Sequence, residues 1–211
     1  ISGCKKEEVA VANPNPLFVP GDPWVDPKWT YDYDPEEAKK LLADAGYPNG
    51  IDLPIVGRGD ATGQAKLTEW AALSLKAVGI RTSVTLTPTS NDLFARMQAL
   101  DYTLVAVLFC QTVAAPDEIW GGYFITGAAR NWTGYSNPEI DKLYIAQSQE
   151  SDPAKRKAIN RQMEDILLRD LPFAPTSDSD ADAAFAPYVR GWEPGITYYM
   201  TQRFENVWRG R

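Results

Sequence analysis

Apolar residues recur along this chain in two rhythms, one of three to four residues and one of two, and their alternation predicts the fold. The first helical stretch opens at Asp34-Pro35-Glu36-Glu37, where Asp34 can cap, Pro35 suits the first position and Glu37 has the capping-box spacing. Ala38, Leu41, Leu42 and Ala45 make its apolar face, and Gly46 ends it. Ile51–Val56 reads as a strand, Gln64–Val78 as a helix with Leu67, Trp70, Ala71, Leu75 and Val78 inward, and Gly79 as that helix's stop. Ile80–Thr87 alternates apolar and polar with β-branched residues, and Asn91–Leu100 is a short helix through Leu93, Phe94 and Met97. Tyr102–Phe109 is an unbroken apolar run, the pattern of a buried middle strand. Strands separated by helices of this length form right-handed parallel crossovers, so the centre of the chain is an α/β domain with a mainly parallel sheet flanked by helices.

Helical periodicity returns later. Asn137-Pro138-Glu139 starts one helix through Ile140, Leu143 and Tyr144, and Asp152-Pro153 starts a longer one carrying Ile159, Met163, Ile166 and Leu167 to Asp170. Beyond Pro172 come short strands, Phe173–Thr176 and Ala183–Ala186, and an aromatic end of Trp192, Tyr198, Tyr199, Phe204 and Trp208. Residues 1–33 are broken by prolines, which remove donors and restrict the preceding residue, and are expected to be extended. The organisation is therefore an arm over 1–33, an α/β ligand-binding lobe over 34–190 and a tail over 191–211.

Composition removes several chemistries. The 211 residues carry 21 Lys+Arg against 28 Asp+Glu, a formal charge of −7, and no histidine. Without histidine the chain has no Ser/His or Cys/His pair and no imidazole base, and two cysteines cannot build a thiolate metal cage. No metal and no cofactor is expected. The acidic balance argues against a phosphate-backbone partner, so nucleic acid is excluded as a ligand class. No apolar stretch approaches the ~18 residues of a membrane span, and the first residues lack a signal peptide's basic segment and apolar run. The 7 Trp and 10 Tyr suit stacking on a polar ligand, although a core or interface role is the commoner one for any single ring.

Four motifs bear on chemistry. Gly57-Arg58-Gly59-Asp60-Ala61-Thr62-Gly63 lies between a strand and a helix, where a phosphate loop sits. Its glycine spacing is wrong for a dinucleotide fingerprint, and the chain has no Gly-Lys-Ser/Thr, so it reads as a turn. Asp178-Ser179-Asp180-Ala181-Asp182 opens like a calcium loop, but Ala183 and Val189 stand where that loop needs glycine and glutamate, leaving a solvated acidic turn. Ile1-Ser2-Gly3-Cys4 looks like a lipidation site without its upstream segment, and Cys110 reads as a packed apolar residue. The loop 109–120 leaves the C-terminal end of a parallel strand, where open α/β sheets hold ligands. With Arg130-Asn131-Trp132-Thr133-Gly134-Tyr135 it offers a cation, amide donors and aromatic faces.

Three stretches carry a family resemblance: residues 33–47 (Tyr33-Asp34-Pro35-Glu36-Glu37 onward to Ala45-Gly46-Tyr47), Leu75-Lys76-Ala77-Val78-Gly79-Ile80, and residues 131–143 from Asn131-Trp132-Thr133-Gly134-Tyr135 to Lys142-Leu143. With Leu171-Pro172-Phe173 and Phe204-Glu205-Asn206-Val207-Trp208 they resemble, in order and spacing, the family 5 extracytoplasmic solute-binding proteins of peptide-type ABC transporters, those for oligopeptides, dipeptides and nickel. The resemblance implies a periplasmic-binding-protein-like (type II) lobe, the C-terminal one of two. Its expected partners are a small polar solute, peptide-like or an oligosaccharide, the permease subunits of an ABC transporter, and the N-terminal lobe of the same parent chain. It also implies a periplasmic or other extracytoplasmic location, with surface anchoring as a variant.

On this reading the protein is no enzyme, and the lobes close on the ligand by a hinge. Phe109, Trp120 and Trp132 are expected to stack on it, Gln111, Thr112 and Asn131 to hydrogen-bond it, and Arg130 to pair with a carboxylate. In peptide-binding relatives the strand matching 102–109 is followed by Trp-x-x-Asp, whose aspartate can pair with a ligand's ammonium; here those positions are Phe109 and Thr112, leaving Asp117 or Glu118 to compensate. Two alternatives stand: a binder of an oligosaccharide or other non-peptide solute, and a glycoside hydrolase using Asp117 and Glu118.

Overall fold

The computed structural model describes residues 10–11, 24, 33–107, 115–174, 178–179, 186–192 and 204–210. In chain order its elements begin with β1 (Ala10–Val11), α1 (Pro35–Asp44), β2 (Ile51–Asp52), β3 (Ile55–Arg58), α2 (Thr62–Ala77), β4 (Ile80–Arg81), β5 (Val84–Thr87), α3 (Ser90–Gln98) and β6 (Leu104–Val105). They continue with α4 (Pro116–Ile119), α5 (Pro138–Gln149), α6 (Pro153–Asp170), β7 (Asp178–Ser179), β8 (Val189–Arg190) and β9 (Trp208–Arg209). Two compact units divide the chain: residues 32–109 with 130–134, and residues 1–31, 110–129 and 135–211.

The first of these units is the predicted β-α-β-α-β core. Its sheet has the order β5-β3-β6, and both ladders are parallel. The middle strand is β3, not the 102–109 run, whose strand pairing among the described residues stops at Val105. Neighbouring layers explain the exchange: Val56 of β3 is buried with Leu93 and Met97 of α3, while Gly57 lies under Thr68 of α2, so β3 is covered on both faces. The expected strands 51–56 and 80–87 each divide in two, because Pro54 has no N–H to give the ladder. The register nevertheless carries across the break: Leu53 N–H donates to the Arg81 carbonyl (2.9 Å) and Ile55 N–H to that of Ser83 (3.0 Å).

Two predicted faces are corrected. Trp70 does not point inward but is 51% exposed, as is Leu73 at 69%. The inner face of α2 centres on fully buried Thr68, because the helix lies so close to Gly57 that a Cβ there would overlap the threonine side chain; an indole does not fit such an approach. Helix α1 is capped as predicted, with Asp34 Oδ1 accepting from Glu37 N–H at 2.9 Å, yet it fully buries no residue and Leu41 is 58% exposed.

The other unit is mainly helical. Asn137 caps α5 by accepting from Glu139 N–H (3.0 Å), and Asp152 caps α6 by accepting from Ala154 N–H (2.8 Å), both at the predicted positions. Ile140, Met163, Ile166, Leu167 and Leu168 are buried in this unit together with Ile119, Trp120, Tyr123 and Phe124. The last three belong to a π-helical turn, Trp120–Phe124, that continues α4. Two short antiparallel ladders, β1 with β7 and β8 with β9, complete it. Of the strands expected late in the chain, Phe173 and Ala174 are not in a strand, the ladder instead using Asp178–Ser179, and Ala183–Phe185 lie outside the described residues, as do Tyr198 and Tyr199. No helix among the described residues is long and apolar enough to cross a membrane.

Candidate functional site

The parallel sheet of the β3 unit places the C-terminal ends of its strands, and the turns that follow them, along one edge. The central strand ends at Arg58, whose guanidinium turns back onto Asp60: Nη2 donates to Oδ2 at 3.1 Å, and Nε donates to Oδ1. The two side chains are 30% and 33% exposed. The guanidinium holds the Asp60 carboxyl below the usual carboxylate range, helped by backbone N–H donors that include that of Ser90.

Thr87, at the end of β5, fixes this edge. Its buried hydroxyl donates to the carbonyls of Gly57 (3.3 Å) and Thr89 (3.0 Å), and its own carbonyl accepts from Gly59 N–H at 2.9 Å. Thr89 and Asp92 then form a capping box that starts α3, with Thr89 N–H donating to Asp92 Oδ2 at 3.1 Å and Asp92 N–H to Thr89 Oγ1 at 3.2 Å. The Gly57–Gly63 segment is thus the turn the spacing predicted, and it carries an ion pair.

Arg130, Asn131 and Trp132 belong to the same unit as a tight turn. Trp132 N–H donates to the Arg130 carbonyl (2.8 Å), and Thr133 Oγ1 donates to Asn131 Oδ1 (3.3 Å). Trp132 is half-buried against the Val56, Leu93 and Met97 cluster, its ring 5.6 Å from that of Phe94. Its carbonyl accepts from the Tyr102 hydroxyl, whose pKa burial pushes up. Arg130 is exposed.

Trp120 lies in the helical unit and is fully buried. Its Nε1–H donates to Asn160 Oδ1 at 2.7 Å, and Asn160 Nδ2 donates on to the Arg156 carbonyl at 2.9 Å. Asp117, held in reserve for a ligand's ammonium, is occupied: it pairs with Arg156 and accepts from Gln147 Nε2 (2.7 Å) and Ser148 Oγ (3.3 Å). Arg156 also lies over the Trp24 ring, 5.3 Å from its centroid. Phe109, Gln111 and Thr112 lie outside the described residues, as do Cys4, Cys110, Asp180 and Asp182. Among the described residues no three acidic or cysteine side chains gather as metal ligands.

The residue that sequence reasoning passed over is Arg58. In sequence it stands inside a glycine motif of the wrong spacing; the signal that finds it is its position at the end of the first strand of the β-α-β-α-β pattern.

The parallel sheet of order β5-β3-β6 has a polar, charged C-terminal edge, and solved structures share its fold. The fold is similar to that of the periplasmic binding protein DppA from Helicobacter pylori in complex with the peptide STSA (TM-score 0.81, 23% identity, covering 96% of this chain and 40% of that one). It is also similar to that of AgaA from A. tumefaciens R10 in complex with agropinic acid (TM-score 0.76, 19% identity, 96% and 43%). In sequence the chain is 24% identical over 155 residues to the glutathione-binding protein GsiB of Escherichia coli K12, across 68% of this chain and 30% of that protein. Residues 8–131 match the family model described as bacterial extracellular solute-binding proteins, family 5 Middle, and the chain belongs to that family. It spans less than half the length of these relatives.

Proposed function

We propose that this chain is the C-terminal lobe of the substrate-binding component of an ABC importer, which captures a peptide-like solute outside the cytoplasm and delivers it to the membrane permease. The observation that carries the reading is Arg58 at the end of the central parallel strand, a cation fixed by the sheet itself. A carboxylate arriving there exchanges with Asp60 for the guanidinium fork, a bidentate geometry suited to it. Arg130, Asn131 and Trp132, in a turn of the same unit, line the solute, and Phe109, Gln111 and Thr112 join them as the ligand contacts suggested by the sequence. Trp120 contributes by packing beneath the α4 turn rather than by stacking, since its ring is enclosed. The N-terminal lobe of the parent chain closes the cage. No catalytic role is assigned: the Asp117 and Glu118 pair of the hydrolase alternative loses its first member to Arg156.

Titration calorimetry on the full-length parent with short peptides tests this. Peptides with a free C-terminal carboxylate are expected to bind, and their C-terminal amides to bind about ten- to a hundredfold more weakly, with the difference abolished in R58Q. Equal binding of acid and amide, or a difference that survives R58Q, overturns the assignment.

A further inference from the structure

At the opposite, N-terminal end of the same sheet, on the α3 face, lies a concavity of about 420 Å³. It exists because α3 stops at Gln98, leaving the start of β3, β5 and β6 uncovered on that side. Arg96 and Asp101 both line it, with the hydroxyls of Thr85 and Thr103 and the apolar side chains of Leu100 and Leu104. The Arg96 guanidinium and the Asp101 carboxylate make no hydrogen bond or ion pair with any described residue, including each other, and the two threonine hydroxyls are likewise unpartnered. Elsewhere in this unit charged side chains at the sheet ends find one another: Arg58 holds Asp60, and Arg81 grips Asp52 at 2.7 and 3.0 Å. Two opposite charges on one concavity, not paired with each other and sharing it with two leucines, match a ligand that carries both charges itself.

We propose that this concavity is a second binding site, for a free amino acid with an apolar side chain. Its carboxylate pairs with Arg96, its ammonium with Asp101, and its side chain lies on Leu100 and Leu104. The threonine hydroxyls complete the polar contacts. The site is independent of the proposed function, because Arg58 and Arg96 serve opposite ends of β3. Both charged groups are exposed and the concavity is open, so binding is weak, in the range where occupancy reports a high solute concentration.

The probe is L-leucine, followed by amide chemical-shift changes on the labelled 211-residue chain, with L-leucinamide and N-acetyl-L-leucine as analogues lacking one charge each. Saturable shifts centred on residues 96–104 are expected for leucine, with about tenfold weaker binding in R96Q, in D101N and for either analogue. R58Q leaves them unchanged. Both substitutions are at exposed positions, and unchanged spectra elsewhere in the free variants show that they fold. Absence of saturable shifts at 96–104, binding that survives R96Q and D101N, or binding lost in R58Q overturns the proposal; the last outcome leaves leucine at the C-terminal edge and the reading of Arg58 intact.

Discussion

The helical unit fully encloses more large side chains, polar as well as apolar, than the sheet unit does. In the former, Trp120, Ile140 and Met163 are fully enclosed alongside Gln147, Asn160 and Glu164. In the latter, Trp70, Leu73, Leu41 and Leu100 are each at least half exposed while the core is the small cluster around Val56, Leu93 and Met97. The contrast follows from geometry. Two helices as long as α5 and α6 present whole turns to each other and close a core between them. A three-stranded sheet with one short helix on one face cannot cover itself, and what it leaves open is its edges and one end of a face. Stability therefore concentrates in the helical unit and available binding surface in the sheet unit.

The largest test of this contrast is Trp120→Ala, which empties an enclosed site and strands Asn160; a loss of about 4 kcal/mol is expected by denaturant unfolding. Trp120→Phe isolates the indole hydrogen bond and should cost about 1–2 kcal/mol. A near-neutral Trp120→Ala would break the claim that stability sits in the helical unit.

Gly57→Val follows, at about 3 kcal/mol, because the new side chain meets Thr68 and must push α2 off the sheet. Pairing it with Thr68→Ala should recover part of the loss, which a simple β-propensity effect would not.

Trp132→Ala comes next. The ring covers the sheet unit's core but is only half-buried, so a stability loss of about 2 kcal/mol is expected, less than for Trp120. Binding by the parent protein, measured below the unfolding transition, separates its two roles. An affinity loss beyond that explained by unfolding makes the ring part of the ligand wall, and an unchanged affinity leaves it a core cover alone.

The smallest effect belongs to pH. Asp60 and Asp52 are held below their ordinary carboxylate values by Arg58 and Arg81, and Asp170 by the Tyr135 hydroxyl and Asn137. A lowered folded-state value means that each contributes stability above its unfolded value of 3.8, lost as pH falls below it through the folded one. The unfolding midpoint should then be flat across these groups from about pH 5 to 8 and drop in acid, with a shallower drop in D60N. An unaltered acid limb in D60N would detach the Arg58 pair from stability and leave it to ligand binding alone.

Much of this was legible without coordinates. The caps at Asp34, Asn137 and Asp152, the parallel β-α-β-α-β order and the family likeness all rest on local chemistry and spacing, which a sequence carries directly. What a residue's neighbours decide was not legible. Trp70 sits at a helical position as apolar as its neighbours, and only the close approach of α2 to Gly57 turns it outward. The 102–109 run is apolar enough for a central strand, yet centrality is a matter of pairing on two sides, which composition does not encode. Arg58 looked like filler in a glycine motif until the sheet put it at the end of its middle strand, because the meaning of a charge depends on where the backbone ends beside it. The sequence by itself determined the capped helices α1, α5 and α6, the parallel alternation of strands and helices in the core, and the family to which they belong. Tertiary structure alone decided which strand is central, which aromatic rings are enclosed and which cations stand at an open edge, since burial and pairing are properties of distant residues brought together.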